Sequence, residues 1–370
     1  MIIELLKRMI CYYSILLLII GCGKKVDMSN QTMYRKNLKN TGVYDSIAVE
    51  KFTKVKWQVK TANWVFSSPV IINGKVIFGG VDNQLYTLDF NDGSTVWEFK
   101  TKDAIYSTPT VIDDIIYFGS MDKFFYTVGL KDGREVWRFA TQGEIYGSPA
   151  VFNGIVSFGS TDSNFYALDR KLGFEKWHLK TAGKIYSSPA VDDNGIAYFG
   201  SDDKYLYAVY LRNGQVKWKF LCNDGILSSP AIQNDAIYFG SKDGFVYALY
   251  LKDHKEKWKF RTGQLVTSSP AIYNGKIYIG SWDTFLYAID QKTGSLKWRF
   301  KTDDAILSPP SIAGNMVYFG SRDGNLYALD AKTGEEKWRY KTGGSIASAP
   351  NIFNRTVFFG SKDFSFYALQ

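Results

Sequence analysis

From Val55 onward, short apolar runs alternate with turns rich in Gly, Asn, Asp, Ser and Thr. No stretch keeps apolar residues on a 3.6-residue period long enough for a helix. The runs are rich in aromatic and β-branched side chains and predict strands. One stretch shows the unit. Ser308 to Ile312 is a short run, and Ala313-Gly314-Asn315 is a turn. Met316 to Gly320 is apolar, and Arg322-Asp323-Gly324 carries an Asp-Gly hairpin signal. Asn325 to Leu329 follows, Ala331-Lys332-Thr333-Gly334 turns again, and Glu336 to Lys341 is the last strand.

The unit recurs. Its outer strands carry Trp57, Trp97, Trp137, Trp177, Trp218, Trp258, Trp298 and Trp338, at a constant step that is longer by a single residue only between Trp177 and Trp218. Pro69, Pro109, Pro149, Pro189, Pro230, Pro270, Pro310 and Pro350 keep step. A Gly-Ser-x-Asp motif starts at Gly119, Gly159, Gly200, Gly240, Gly280, Gly320 and Gly360, with Gly79-Gly80-Val81-Asp82 as an altered first copy. The extra residue falls in the Val191 to Gly195 turn, where insertions are tolerated. Four strands per period of about 40 residues is the pattern of a propeller blade. The repeats open on a lone fourth-strand segment, Val55 to Thr61, and close on three strands ending at Gln370. The predicted fold is all-β: an eight-bladed β-propeller of four-stranded blades, closed by an N-terminal strand that completes the last blade. Such closure leaves no unpaired end blade.

The repeated residues read as framework. Burying each docking Trp is worth roughly 4–6 kcal/mol before entropy. The motif Gly admits close approach of a neighbouring surface, and the motif Asp accepts turn N–H groups. Eight equivalent Asp spread around a ring cannot converge on one ion, so no metal site is expected.

The spacing A-x-D-x-x-T-G-x-x-x-W stands intact at Ala288, Asp290, Thr293, Gly294, Trp298 and at Ala328, Asp330, Thr333, Gly334, Trp338. It resembles the tryptophan-docking motif of the pyrroloquinoline-quinone (PQQ) enzyme repeat, over essentially all of 55–370. Gly129, Tyr210 and Tyr250 take the Asp place and His254 a Gly place, departures expected to loosen single turns. Met33 to Gly42 also resembles the lead-in of secreted members. PQQ-dependent dehydrogenases of this kind hold quinone and Ca²⁺ above the ring, with a catalytic Asp and usually adjacent Cys residues, in loops inserted between strands. Here the spacing leaves no room for insertions and no two Cys adjoin. His178 and His254 have no visible partner for acid–base work. No cofactor and no enzyme activity are expected, and the dehydrogenase is the remote alternative. With Ile19-Ile20-Gly21-Cys22, which resembles the bacterial lipobox, ahead of eight such blades, the chain is also similar to the non-catalytic BamB family of outer-membrane β-barrel assembly. That likeness implies an envelope scaffold with protein or peptide partners, a monomeric propeller within a larger complex. An extracellular sensor or adhesion propeller binding a peptide or glycan is the main alternative.

Lys7 and Arg8 precede an uncharged, largely apolar run from Met9 to Ile20. It is too short to span a bilayer, which takes about 20 residues, and suits a signal-peptide core. Ile19-Ile20-Gly21-Cys22 resembles the bacterial lipobox, which implies cleavage before Cys22 and its lipidation. Two or three acyl chains anchor stably. The expected divisions are a signal peptide over 1–21, a polar tether and lead-in over 22–52, and the propeller over 53–370. The expected location is the outer membrane facing the periplasm, otherwise the cell surface. Net charge is +9, but no local block or stripe of basic residues stands out along the repeats, which disfavours a nucleic-acid partner. Lone Cys222 reads as a small buried filler.

Function should lie where the repeat is broken. The residue before each Ser-x-Pro reads Phe66, Tyr106, Tyr146, Tyr186, Leu227, Thr267, Leu307 and Ala347. The variable residue of Gly-Ser-x-Asp reads Val81, Met121, Thr161, Asp202, Lys242, Trp282, Arg322 and Lys362. Both loop sets are expected on one face. The candidate binding face is then an aromatic arc (Phe66, Tyr106, Tyr146, Tyr186) on blades 1–4 with Lys242, Trp282, Arg322 and Lys362 on a basic side over blades 5–8. Aromatic and Arg anchors dominate interface energetics. The competing reading makes the rings mere filler between blades, with every tyrosine of the arc buried.

Overall fold

The computed structural model describes residues 33–370, and among them there is no helix. The signal peptide, the lipobox and Cys22 lie outside the described residues. The strands form eight antiparallel four-stranded sheets, one of them extended by a fifth strand. Blade 1 takes Val70–Ile72, Lys75–Gly79, Gln84–Asp89 and Thr95–Lys100, and the pattern repeats through blade 7. Blade 8 takes Asn351–Phe353, Thr356–Ser361 and Ser365–Leu369. Its outermost strand is Val55–Lys60, antiparallel to Ser365–Leu369 with Trp57 opposite Ala368. The opening strand completes the last blade, as the split repeat predicts.

Burial explains the strand sequences. The two middle strands of a blade are covered on both faces by neighbouring blades, so Met316–Gly320 and Asn325–Asp330 read as near-continuous buried runs. The outermost strands alternate, with charged residues in solvent. Each carries a bulge just before its Trp. Ala328 lies opposite Trp338 while Leu329 lies opposite Glu336, and the same shift recurs in all eight blades. A bulge re-aims the following side chain, and here the Trp is set against the next blade. Trp57 Nε1–H donates to Phe90 O at 3.0 Å, Trp177 to Leu211 O at 2.9 Å and Trp258 to Gln291 O at 3.1 Å. Gly93, at φ +75°, lies flat under an indole; a Cβ there would stand 2.8 Å from Trp57 Cδ2.

One seam departs. His254 holds the Gly place at φ 52°. Its ring stacks on Trp218 at 5.4 Å, and the buried Trp218 Nε1 has no hydrogen-bond partner. The motif Gly of Gly-Ser-x-Asp faces an aliphatic neighbour, not an aromatic one: Gly79 meets Ile105 of the following loop.

The lead-in was not legible as structure. Met33, Arg35, Leu38, Asn40, Tyr44 and Val49 are buried. Val43–Tyr44 adds to blade 7 as a fifth strand, parallel to Ser311–Ala313. Where the chain ends meet, blade 8 lacks the turn that would receive Trp338. Val49 O takes its place, accepting Trp338 Nε1–H at 2.7 Å and the Tyr318 hydroxyl at 3.1 Å.

Candidate binding face

The two loop sets do meet on one face. The backbone N–H of the variable residue donates to the loop before Ser-x-Pro in blade after blade: Val81 to Trp64 O, Met121 to Ala104 O, Arg322 to Ala305 O and Lys362 to Ser345 O, each at 2.9 Å. The neighbouring Asp pins both loops. Asp122 accepts Phe124 N–H at 3.0 Å, Lys102 N–H at 2.9 Å and the Tyr126 hydroxyl at 2.8 Å. Asp82, Asp162, Asp203, Asp243, Asp283, Asp323 and Asp363 each take the hydroxyl of the Tyr four residues on in the same way. Burial and the hydrogen bond to Asp together push these phenols well above their ordinary value. These carboxylates are committed to framework, and among the described residues no three His, Cys, Asp or Glu side chains cluster as a metal site would require.

Inside the ring of loops lies a cup of about 420 Å³. Phe66, Tyr106, Tyr146, Tyr186, Leu227, Thr267, Leu307 and Ala347 form its wall, one from each blade. The aromatic rings make a continuous file. Phe66 stacks on Tyr106 at 4.9 Å, Tyr106 meets Tyr146 at 5.3 Å, and Tyr146 meets Tyr186 edge-on at 5.2 Å. All four rings are half-buried, so no tyrosine of the arc is fully enclosed between blades. Burial, then the charge of Glu144, raises the Tyr146 phenol to about 12.

Below the rings runs a belt of hydroxyls that ties blade to blade. Ala349 N–H donates to Ser68 Oγ at 2.9 Å, Thr108 N–H to Ser148 Oγ at 2.9 Å, Ser148 N–H to Ser188 Oγ at 2.8 Å, and Ser229 N–H to Ser269 Oγ at 3.0 Å. The belt breaks at Pro309, which has neither the hydroxyl nor the N–H.

The floor is the lead-in. Arg35 is 2% exposed, and its two terminal nitrogens donate to Pro310 O and Pro270 O at 2.6 Å each, beside the break in the belt. Desolvation lowers its pKa, yet the carbonyl pair holds the charge. Tyr34 lines the cup above it and donates to Ser269 Oγ at 3.2 Å. The chain then passes around the channel. Leu38 O, Lys39 O, Thr41 O and Gly42 O accept the inward N–H groups of Val191, Ile232, Ile272 and Ile312 at 2.7, 2.8, 2.9 and 2.8 Å. Asn40 reaches Pro189 O and Pro230 O. The segment satisfies the bare edges of four innermost strands, those of blades 4–7. The resemblance of Met33 to Gly42 to a lead-in marked the segment in the sequence but not its place in the channel; Gly42 packs there against the Arg35 guanidinium at φ +68°.

The basic side takes a different form from the one the sequence suggests. Lys242 bridges Asp202 at 3.0 Å and Asp224 at 3.8 Å, which neutralises it. Arg322 lies 4.0 Å from Asp304 and 5.3 Å over the Trp282 ring. Trp282 lines the cup and donates to Thr267 Oγ1 at 2.9 Å. Lys362 has no ion pair among the described residues and sits 4.8 Å over Trp64 and 5.0 Å over Phe66. Of the three basic residues singled out, Lys362 is therefore the one without an acidic partner among the described residues. Cys222 is buried just past an outer strand, where burial pushes its thiol up; Thr101 and Thr141 hold the same place in other blades.

Comparison with curated proteins finds no match. Among solved structures, BamB from Moraxella catarrhalis has a TM-score of 0.75 at 16% identity, over 86% of this chain and 99% of its own. The quinohemoprotein alcohol dehydrogenase of Comamonas testosteroni has 0.80 at 14%, over 94% and 81%. The computationally designed Ika8 protein has 0.77 at 17%, over 86% and 99%. At these identities the likeness shows the ring alone, which an assembly factor, an oxidoreductase and a designed chain all share. The family model is more specific. The one described as "Outer membrane protein assembly factor BamB" matches residues 41–106, 93–220, 180–281 and 256–369, nearly the whole described chain. The repeat, the split blade and this match together place the chain in the BamB family of eight-bladed propellers.

Proposed function

We propose that the protein is a non-catalytic, lipid-anchored envelope scaffold that holds partner proteins on the cup face, and that its partners act in outer-membrane β-barrel assembly. The family's description supports the setting. The observation that carries the binding role is the file of four half-buried rings along the wall of the cup. Side chains of this kind anchor interfaces because they remove much apolar area at little entropy cost.

The test is affinity purification of the tagged protein from detergent-solubilised envelopes. Assembly components are expected to co-purify with the native chain and to be lost with Y106A/Y146A/Y186A. Equal recovery with that variant, or none with the native chain, overturns the reading. A second reading, a peptide or glycan ligand inside the cup, is favoured by the cup's volume and by the Tyr106, Tyr146 and Tyr186 hydroxyls. It expects direct binding by the purified protein, read from Trp282 fluorescence. Quinone absorbance with alcohol-dependent dye reduction would overturn the non-catalytic assignment.

A further inference from the structure

Around the outside of the ring, the outermost strands of blades 4, 5, 6, 7 and 8 follow one another: Val216–Leu221, Glu256–Arg261, Leu296–Lys301, Glu336–Lys341 and Val55–Lys60. Together they carry thirteen basic and two acidic side chains, a net +11. The three remaining outermost strands, Thr95–Lys100, Glu135–Ala140 and Glu175–Lys180, carry four basic and three acidic ones, a net +1. No such stripe is visible along the sequence, because its members recur a whole blade apart in the chain. Only ring closure makes them neighbours.

Lysine on an exposed edge strand has a bland explanation, since it blocks pairing with another chain. That need is the same for all eight edges and predicts an even distribution. The two-part distribution calls for something else. Much of the charge is unpaired: Lys217, Lys219, Arg261, Lys301 and Lys60 have no ion pair among the described residues, although Lys259, Lys297, Lys337 and Arg339 do. Several heads are held in place over an aromatic ring of their own blade, Lys219 at 4.1 Å over Tyr205 and Arg299 at 4.6 Å over Phe285.

We infer that the propeller rests edge-on against an anionic bilayer surface, with blade 6 lowest and the channel axis in the membrane plane. Blade 6 is the midpoint of the cationic arc, and its outermost strand alone carries +3 with no acid. A convex wall touches a plane over two or three blades, so charge on blades 5 and 7 flanks the contact. Basic residues near an anionic leaflet are drawn to it over about a Debye length. The stretch from the lipobox Cys22 to Met33 reaches at most about 40 Å when extended, which keeps the wall within range. The orientation leaves the cup mouth open sideways. The inference shares only the anchor with the proposed function.

The test reconstitutes the full chain into vesicles of neutral phosphatidylcholine, or of the same lipid with a third phosphatidylglycerol. Lysines are then labelled with an amine-reactive reagent and read by mass spectrometry. In the anionic vesicles Lys297 and Lys301 should label about fivefold more slowly, Lys259 and Lys341 less so, and Lys123 on opposite blade 2 not at all. High salt should abolish the protection, and K297E/R299E/K301E should remove it from Lys259 and Lys341 while far-UV circular dichroism stays native. Equal labelling in both vesicles, protection spread evenly over all blades, or protection by soluble polyphosphate but not by vesicles overturns the inference. Loss of co-purifying partners with protection intact would instead count against the proposed function alone.

Discussion

Blades 1–3 and blades 4–8 are cut from the same repeat and differ in nearly everything the repeat leaves open. The first three carry most of the aromatic file and a nearly neutral outer wall. The other five carry the cationic wall, and four of them have their inner edges capped by the lead-in. Among the described residues no carbonyl reaches the corresponding inward N–H of Val111 or Val151. Framework and dressing are thus separable. The docking Trp, the Asp–Tyr pair and the hydroxyl belt recur because every seam has the same packing problem. Charge, aromatic wall and edge capping vary because they face solvent or the channel, where the seam imposes nothing.

If that separation is right, framework substitutions should cost the same in both regions. Trp97→Ala and Trp298→Ala each remove a docked indole, and each should lower stability by about 4 kcal/mol in urea unfolding. A cost in one region twice that in the other would break the equivalence. Arg35→Met acts on one region only. It leaves Pro270 O and Pro310 O without their charged donor, a loss of about 3 kcal/mol. Hydrogen exchange should quicken at Val191, Ile232, Ile272 and Ile312 and stay unchanged at Val111 and Val151. Uniform quickening would mean that the lead-in supports the whole ring.

The blade 4–5 seam sharpens the comparison further. His254→Gly relieves a left-handed backbone and should raise stability by about 1 kcal/mol; no gain would mean that the stack on Trp218 offsets the strain. The smallest effect is a titration. The Tyr146 phenol stands at about 12 against an ordinary 10, so the fold favours its protonated form. Its contribution to stability is whole below pH 10 and is lost as pH rises from there towards 12. The phenolate absorbance that develops near pH 12 should therefore be smaller by one tyrosine in Tyr146→Phe. A normal midpoint would mean that the file of rings is looser than the cup geometry requires.

Much of this was legible in the chain. The constant step of Trp and Pro implied the blades, and the split at Val55 and Gln370 implied the closure. The pairing of the two loop sets, and so the membership of Phe66, Tyr106, Tyr146 and Tyr186 in one wall, also followed from the period. Their half-burial did not, because it depends on how far each loop leans over the channel. Lys242 looked as free as Lys362, and only the approach of Asp202 and Asp224 separates them.

By itself the sequence determined the ring, since identical apolar spacing repeated eight times has one way to bury every face and leave no open blade. It also determined which positions of the cup-face loops vary, those before Ser-x-Pro and within Gly-Ser-x-Asp. The tertiary structure decided what those variations amount to. It put a polar-looking lead-in into the channel, because bare strand edges and a buried guanidinium satisfy one another there. It also gathered lysines from successive repeats into one wall, because closing a ring turns distance along the chain into adjacency in space.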